Sequence, residues 1–324
     1  MKIVITGAAG FLGRKLSLAL LGRQTPLPGF DQPLTELVGA DLVPPPDLGD
    51  RRFRPAACDI GDAQAVRKLV ADADLVFHLA AIVSADAEAD FDRGMRVNLD
   101  GTRHLLEALR HGGRRPRLVF ASSVAVYGGD LPEIITDTTH LTPQTSYGSQ
   151  KAAGELLVND YSRKGFLDGR SLRLPTIVVR AGRPNLAAST FASSIIREPL
   201  AGEEAVCPVT PDTAMYLLSP RRVIEAFQHA AGLPAETFGE WRSLVLPGLT
   251  VRVGEMVETL RRVAGEAVAA RVRFVPDARI QAIVDSWPAR FAPERGLSMG
   301  FAADASFEEI VRAHIEDELG GRIA

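Results

Sequence analysis

The chain opens on the short apolar run Lys2-Ile3-Val4-Ile5-Thr6. Gly7-Ala8-Ala9-Gly10-Phe11-Leu12-Gly13 follows, then an apolar-periodic segment that runs to Leu21 and is closed by Gly22. Buried strand, glycine turn and helix in that succession constrain the fold more than any other stretch. Gly7 permits a tight turn, Gly10 lets backbone approach a pyrophosphate, and Gly13 lets the helix pack close to its strand. The helix N-terminus, at Phe11 and Leu12, supplies N–H groups and positive potential to phosphates. The spacing G-x-x-G-x-x-G is a variant of the dinucleotide fingerprint, and the strand before it and helix after it are the context that fingerprint requires.

The same alternation continues. Residues 23–35 contain Pro26, Pro28, Gly29 and Pro33 and read as a surface loop. A second strand over 37–42 carries Asp41 at its end, placed to accept hydrogen bonds from both hydroxyls of an adenosine ribose, which favours NAD over NADP. A third strand over 53–58 delivers Asp59 and Ile60, and Asp62 caps a helix over 63–71. The fourth strand is expected over 75–81, where Leu79, Ala80 and Ala81 let a cofactor lie across them; His78 reads as a satisfied strand residue. One long helix is expected over 90–110, carrying Asn98, with Gly112-Gly113 as its stop. A fifth strand over 118–121 brings Ser122 and Ser123 to its carboxyl end. A helix capped by Thr145 or Ser146 runs to about Gly165, and a sixth strand over 171–179 is interrupted by Pro175. Strands and helices in this order specify an α/β fold, a doubly wound parallel sheet of the Rossmann type, with ligands at the carboxyl ends of the strands. Residues 1–180 are expected to form the NAD-binding domain, and 181–324 mainly a smaller substrate-binding lobe interleaved with it.

Ser146-Tyr147-Gly148-Ser149-Gln150-Lys151 sets a tyrosine and a lysine one turn apart on one helix face. A phenol ordinarily keeps its proton to about pH 10, and a neighbouring ammonium favours the phenolate. Tyr147 can then act as a general base near neutrality.

Composition narrows the partners. A net charge of -3 and a pI near 6.1 provide no basic footprint for nucleic acid. Cys58 and Cys207 have no C-x-x-C spacing and the six histidines are scattered, so no metal is expected. No run of 18 apolar residues and no signal-type segment occurs, which sets no membrane partner and a cytoplasmic location as the expectation.

The segments Gly7-x-x-Gly10-x-x-Gly13, Asp41, Asp59-Ile60, His78-Leu79-Ala80-Ala81, Asn98-Leu99-Asp100-Gly101-Thr102, Ser122-Ser123-Val124-Ala125-Val126-Tyr127-Gly128 and Tyr147-x-x-x-Lys151 stand in a characteristic order. In this the chain resembles the extended short-chain dehydrogenase/reductase family, which includes the NAD-dependent sugar epimerases and dehydratases, over nearly its whole length. The resemblance implies that Ser123, with Ser122 beside it, binds the substrate hydroxyl and that Tyr147 transfers its proton. It implies that Lys151 holds the nicotinamide ribose and tunes Tyr147, with Asn98 in support. It further implies NAD as cofactor and a homodimer paired across the helix of Tyr147 and the long preceding helix.

Val124-Ala125 stand where dehydratases carry an acidic pair, which disfavours water elimination. Thr176 stands where sugar-nucleotide enzymes carry asparagine, and Arg180, Arg183 and Asn185 follow it. Guanidinium groups match carboxylates in bidentate geometry, which suits a small hydroxy acid. The N-terminal motif with its inserted loop, the run from Arg173 to Asn185 and the segment from Arg290 to Phe301 resemble one dehydrogenase branch of the family, and that resemblance implies NAD-dependent oxidation of the C2 hydroxyl of a four-carbon sugar acid. A nucleotide-sugar epimerase is the alternative reading, and a non-catalytic NAD-binding scaffold the third.

Overall fold

The computed structural model describes residues 1–182 and 188–324. Five strands come first, β1 (Lys2–Thr6), β2 (Glu36–Asp41), β3 (Phe53–Ala57), β4 (Leu75–His78) and β5 (Arg117–Ser123). β1 pairs in parallel with both β2 and β4, β2 with β3, and β4 with β5. Strands Asp168–Leu174 and Ser243–Val245 extend the sheet beyond β5, so its order is Ser243–Val245, Asp168–Leu174, β5, β4, β1, β2, β3. This is the expected doubly wound sheet. Strands covered on both faces bury successive side chains, as Ile3-Val4-Ile5, Leu75-Val76-Phe77 and Leu118-Val119-Phe120 do. Strand order turns back at β1, and there the connections leave a crevice at the carboxyl ends of β1 and β4.

Three elements depart from the expected boundaries. β4 ends at His78 rather than at 81: Leu79 N–H still reaches the Thr6 carbonyl (3.1 Å), but Ala80 N–H donates to the Thr6 hydroxyl (3.3 Å). A side-chain acceptor has replaced the backbone ladder, and the chain peels away. The helix expected over 90–110 runs as Phe91–Gly94 and Gly101–Gly112 with a π-helical turn at Met95–Asp100 between them, and a separate short helix, Ser84–Ala89, precedes it. A π turn holds one extra residue, and this one includes the buried Asn98. The sixth strand splits at Pro175, which lacks the N–H a central strand needs. Asp168–Leu174 stays in the main sheet, while Thr176–Ile177 joins a three-stranded sheet with Ala214–Leu218 and Leu249–Arg252.

The chain divides into two compact units. The first comprises Met1–Val126, Thr145–Arg173 and Ile224–Leu244; the second comprises Tyr127–Gln144, Leu174–Val223 and Val245–Ala324. Val4, Val38, Leu105, Leu118, Phe120 and Val158 belong to a core of the first, and Val179, Ile195, Leu217, Met256 and Phe307 to that of the second. No single cut at residue 180 reproduces this division, because Ile224–Leu244 returns to the first unit.

Charge helps fix that returning segment. Asp168 accepts from Arg117 (3.2 Å), from the fully buried Arg170, and from Arg242 (3.2 Å). Arg117 and Arg170 also donate to the carbonyls of Ala231 and Ala230 at the end of helix Pro220–Gly232, where the dipole favours cations. Removing the shared carboxylate leaves buried guanidinium charge uncompensated. Asp168→Asn is expected to cost about 3 kcal/mol, seen as a lower urea midpoint at unchanged m-value.

Candidate active site

The glycine turn after β1 is dense. Gly7 has φ +76°, and a Cβ there would lie 2.7 Å from Ala80 N; a Cβ on Gly13 would lie 2.2 Å from the Gly7 carbonyl oxygen. Neither position admits a side chain. Gly10 precedes helix Phe11–Leu21, whose first turn has no side-chain cap and no acidic residue. The amides of Phe11 and Leu12 therefore have no partner within the helix and face outward with its positive end. Asp41 ends β2, and its carboxylate accepts from Ala9 N (3.0 Å) and Leu42 N (2.8 Å), which fixes it beside the turn.

Thr6, Gly7, Gly10, Asp41, Asp59, Ile60, Leu79, Ala80 and Ala81 line one cleft. Its phosphate-facing amides, ribose-facing carboxylate and small-residue wall fit a dinucleotide. Cys58, Ile82, Arg93 and Arg96 line it as well and were not foreseen. Arg96 pairs with Asp59 (2.8 Å) and holds that carboxyl below its usual range. Arg93 lies just before the π-helical turn and Arg96 within it, and no apolar periodicity announces that turn.

Helix Ser146–Arg163 begins as expected, with the Thr145 hydroxyl accepting from Gly148 N (3.0 Å) and Glu88 accepting from Ser146 N (2.9 Å). It packs close on β5, since a Cβ on Gly154 would lie 2.9 Å from the Phe120 ring. That approach buries Lys151, whose Nζ donates to the Ala121 carbonyl (2.8 Å) and lies 4.8 Å from the Phe120 ring centroid. Nζ is 5.7 Å from the ring centroid of the half-buried Tyr147. Burial lowers the Lys151 pKa from 10.5 to about 8, against the opposing pull of Glu155.

The two serines part company. Ser123 closes β5, and its hydroxyl oxygen accepts from Ala125 N (3.1 Å). Ser122 is buried and donates its hydroxyl to Glu155. Successive strand residues point to opposite faces, so the Ser122 hydroxyl turns to Glu155 while Ser123 faces the other way.

Asn98 is also committed elsewhere. Its carbonyl oxygen accepts from Ile82 N (2.8 Å), and its amide donates to Ile82 O (3.1 Å) and to Gln150 (2.8 Å). These bonds make Asn98 a clamp on the segment after β4. His78 extends that clamp. Thr102 donates to Asn98 O (2.7 Å) and so accepts from His78 Nε2 (3.0 Å), leaving His78 Nδ1 to accept from Thr6 (2.7 Å). The imidazole is thereby fixed as the neutral Nε2–H tautomer. Burial, followed by the Lys151 charge, lowers its pKa to about 3.

Thr176 and Arg180 lie in the second unit. Thr176 pairs with Leu217 in the three-stranded sheet, and the Arg180 backbone is held by Ser193 (3.0 Å) and Arg197 (2.6 Å). Arg183 and Asn185 lie outside the described residues.

The fold and cleft define a nucleotide-cofactor enzyme of the doubly wound class, and comparison with known proteins gives the family. Residues 3–219 match the NAD dependent epimerase/dehydratase family, and the chain belongs to it. Its cofactor is NAD. The chain is 54% identical over 319 residues to the D-erythronate dehydrogenase of Cupriavidus necator, covering 98% of each chain. It is 44% identical over 321 residues to that of Haemophilus influenzae, covering 98% of this chain and 100% of the relative. The crystal structure of the nucleoside-diphosphate-sugar epimerase from Agrobacterium tumefaciens superimposes with a TM-score of 0.96 at 46% identity, covering 100% of this chain and 96% of that one.

Two measurements probe this geometry. Gly13→Ala is expected to cost roughly 1–3 kcal/mol and to weaken NAD binding, followed by calorimetry. For Lys151, the folded state releases its proton near pH 8 and the unfolded state only near 10.5. Between those values the unfolded chain binds more protons, so this group makes stability rise with pH by up to about 1.4 kcal/mol per unit. Lys151→Met should remove that slope, seen as the difference between the two proteins' urea midpoints from pH 7 to 10.

Proposed function

We propose that this protein is an NAD-dependent dehydrogenase that oxidises the C2 hydroxyl of D-erythronate to 2-oxo-D-erythronate. The observation that carries the reading is the 54% and 44% identity to two D-erythronate dehydrogenases over 98% of this chain. Gly7, Gly10 and Gly13 with the amides of Phe11 and Leu12 would cradle the pyrophosphate, and Asp41 would take the adenosine ribose diol. Asp59, Ile60 and the Leu79–Ala81 segment would line the remaining length. Bound there, the nicotinamide supplies the hydride acceptor.

The chain's own groups handle the proton and the orientation. An alcohol losing hydride must also lose its hydroxyl proton, and Tyr147, as phenolate, would accept it. Lys151 places a positive charge beside that phenolate, and the Ser123 hydroxyl would orient the reacting oxygen. Thr176, Arg180, Arg183 and Asn185 would recognise the carboxylate and remaining hydroxyls. The turn Val124–Val126 after Ser123 carries no titratable side chain, which agrees with oxidation rather than water elimination.

The same reading takes the protein as a cytoplasmic homodimer acting on a small molecule. Among the described residues, no helix is long and apolar enough to cross a membrane.

A second reading, nucleotide-sugar epimerase, has the Agrobacterium tumefaciens structure in its favour. Net cofactor turnover separates the two. With NAD and D-erythronate the purified protein is expected to accumulate NADH, and Tyr147→Phe to lower the rate at least about a hundredfold with NAD binding retained. Interconversion of a UDP-sugar with no NADH from D-erythronate, L-threonate or other aldonates would sink the dehydrogenase reading. Tight NAD binding with no turnover of any alcohol would restore the scaffold.

A further inference from the structure

Glu155 lies one turn beyond Lys151 on the same helix and is fully buried. Its carboxylate accepts from Arg173 through Nε (3.0 and 3.1 Å) and Nη2 (2.7 Å), and from the Ser122 hydroxyl. Ser122 sits between Ala121, whose carbonyl takes the Lys151 ammonium, and Ser123. One carboxylate thus ties the end of β5 to the helix that carries Tyr147 and Lys151.

Among the described residues, the charged and titratable groups around Lys151 are few. Its own helix contributes Tyr147 and Glu155, β4 contributes His78, and strand Asp168–Leu174 contributes Arg173 through its pair with Glu155. His78 is the neutral tautomer. Among the described residues, Lys151 and Arg173 are then two buried cations beside one buried carboxylate.

We propose that Glu155 is a positioning residue for proton transfer: its carboxylate neutralises Arg173 and anchors the Ala121–Ser123 strand end, so that Lys151 keeps its proton beside Tyr147. Without Glu155, the ammonium would share a dry space with a guanidinium that has lost this carboxylate, and repulsion at low dielectric would favour loss of the lysine proton. Hydrogen bonding alone would leave that balance untouched. The role rests on Lys151 serving Tyr147 as proposed above.

The chain has five lysines, so ε-13C-lysine labelling gives a simple spectrum in which Lys151 is assigned by its loss in Lys151→Met. Its resonance should titrate near pH 8 in the parent protein. Glu155→Gln is expected to move that midpoint down by about one pH unit or more, and Arg173→Met to move it up. The alkaline limb of kcat/KM should move the same way in each variant. Opposite shifts from the two ends of one ion pair mark a charge role, whereas loosened packing would shift both in one direction. If Glu155→Gln does not fold, the sign in Arg173→Met still decides. Unmoved midpoints, or shifts of one sign, would overturn the proposal. The titration needs no substrate: opposite shifts without turnover of any sugar acid would uphold the charge role and remove only the substrate assignment.

Discussion

Taking an ammonium out of water costs several kcal/mol unless fixed groups replace its hydration, and the Lys151 site is arranged around that requirement. The Ala121 carbonyl stands 2.8 Å from Nζ, and the Phe120 ring lies 4.8 Å from it. Both acceptors belong to β5, so the helix must come close to that strand, and the missing side chain of Gly154 allows it. The same approach sets what the next two residues can do. Ser122 turns to the buried Glu155, and Ser123 ends the strand on the other face. A lysine held in this way lies at the edge of its charged state near neutrality, where a modest change in surroundings alters its protonation.

On the far side of the crevice the chain solves a different problem. A cofactor wall must stand next to a glycine turn without continuing the sheet through it. Thr6 takes over the Ala80 N–H that a backbone carbonyl would have accepted, and its hydroxyl donates a hydrogen bond to His78. From there the donors run through Thr102 to the carbonyl of Asn98, whose side chain grips Ile82 on both backbone groups. Each member has a defined donor and acceptor role, which makes the segment stiff and keeps its backbone polar groups satisfied although they have left the ladder. Asn98 also donates to Gln150, so the wall and the helix of Tyr147 are fixed to each other.

Much of this was legible beforehand. The strand, glycine turn and helix of residues 2–21, the cap at Thr145, and the break at Pro175 follow from local rules: side-chain period, a missing Cβ, a missing N–H. Tyr147 and Lys151 share a face because helical spacing puts them there. These features depend on residues within a turn or two of each other, and the sequence by itself determined them. Tertiary structure alone decided that β4 would end at His78, that a π turn would carry Asn98 inward, that Arg93 and Arg96 would line the cleft, and that Ser122 would face Glu155. Asn98 meets Gln150 across 52 positions and Ser122 meets Glu155 across 33. Which buried polar groups find one another over such separations is set by how the sheet and helices pack, and no local period encodes it.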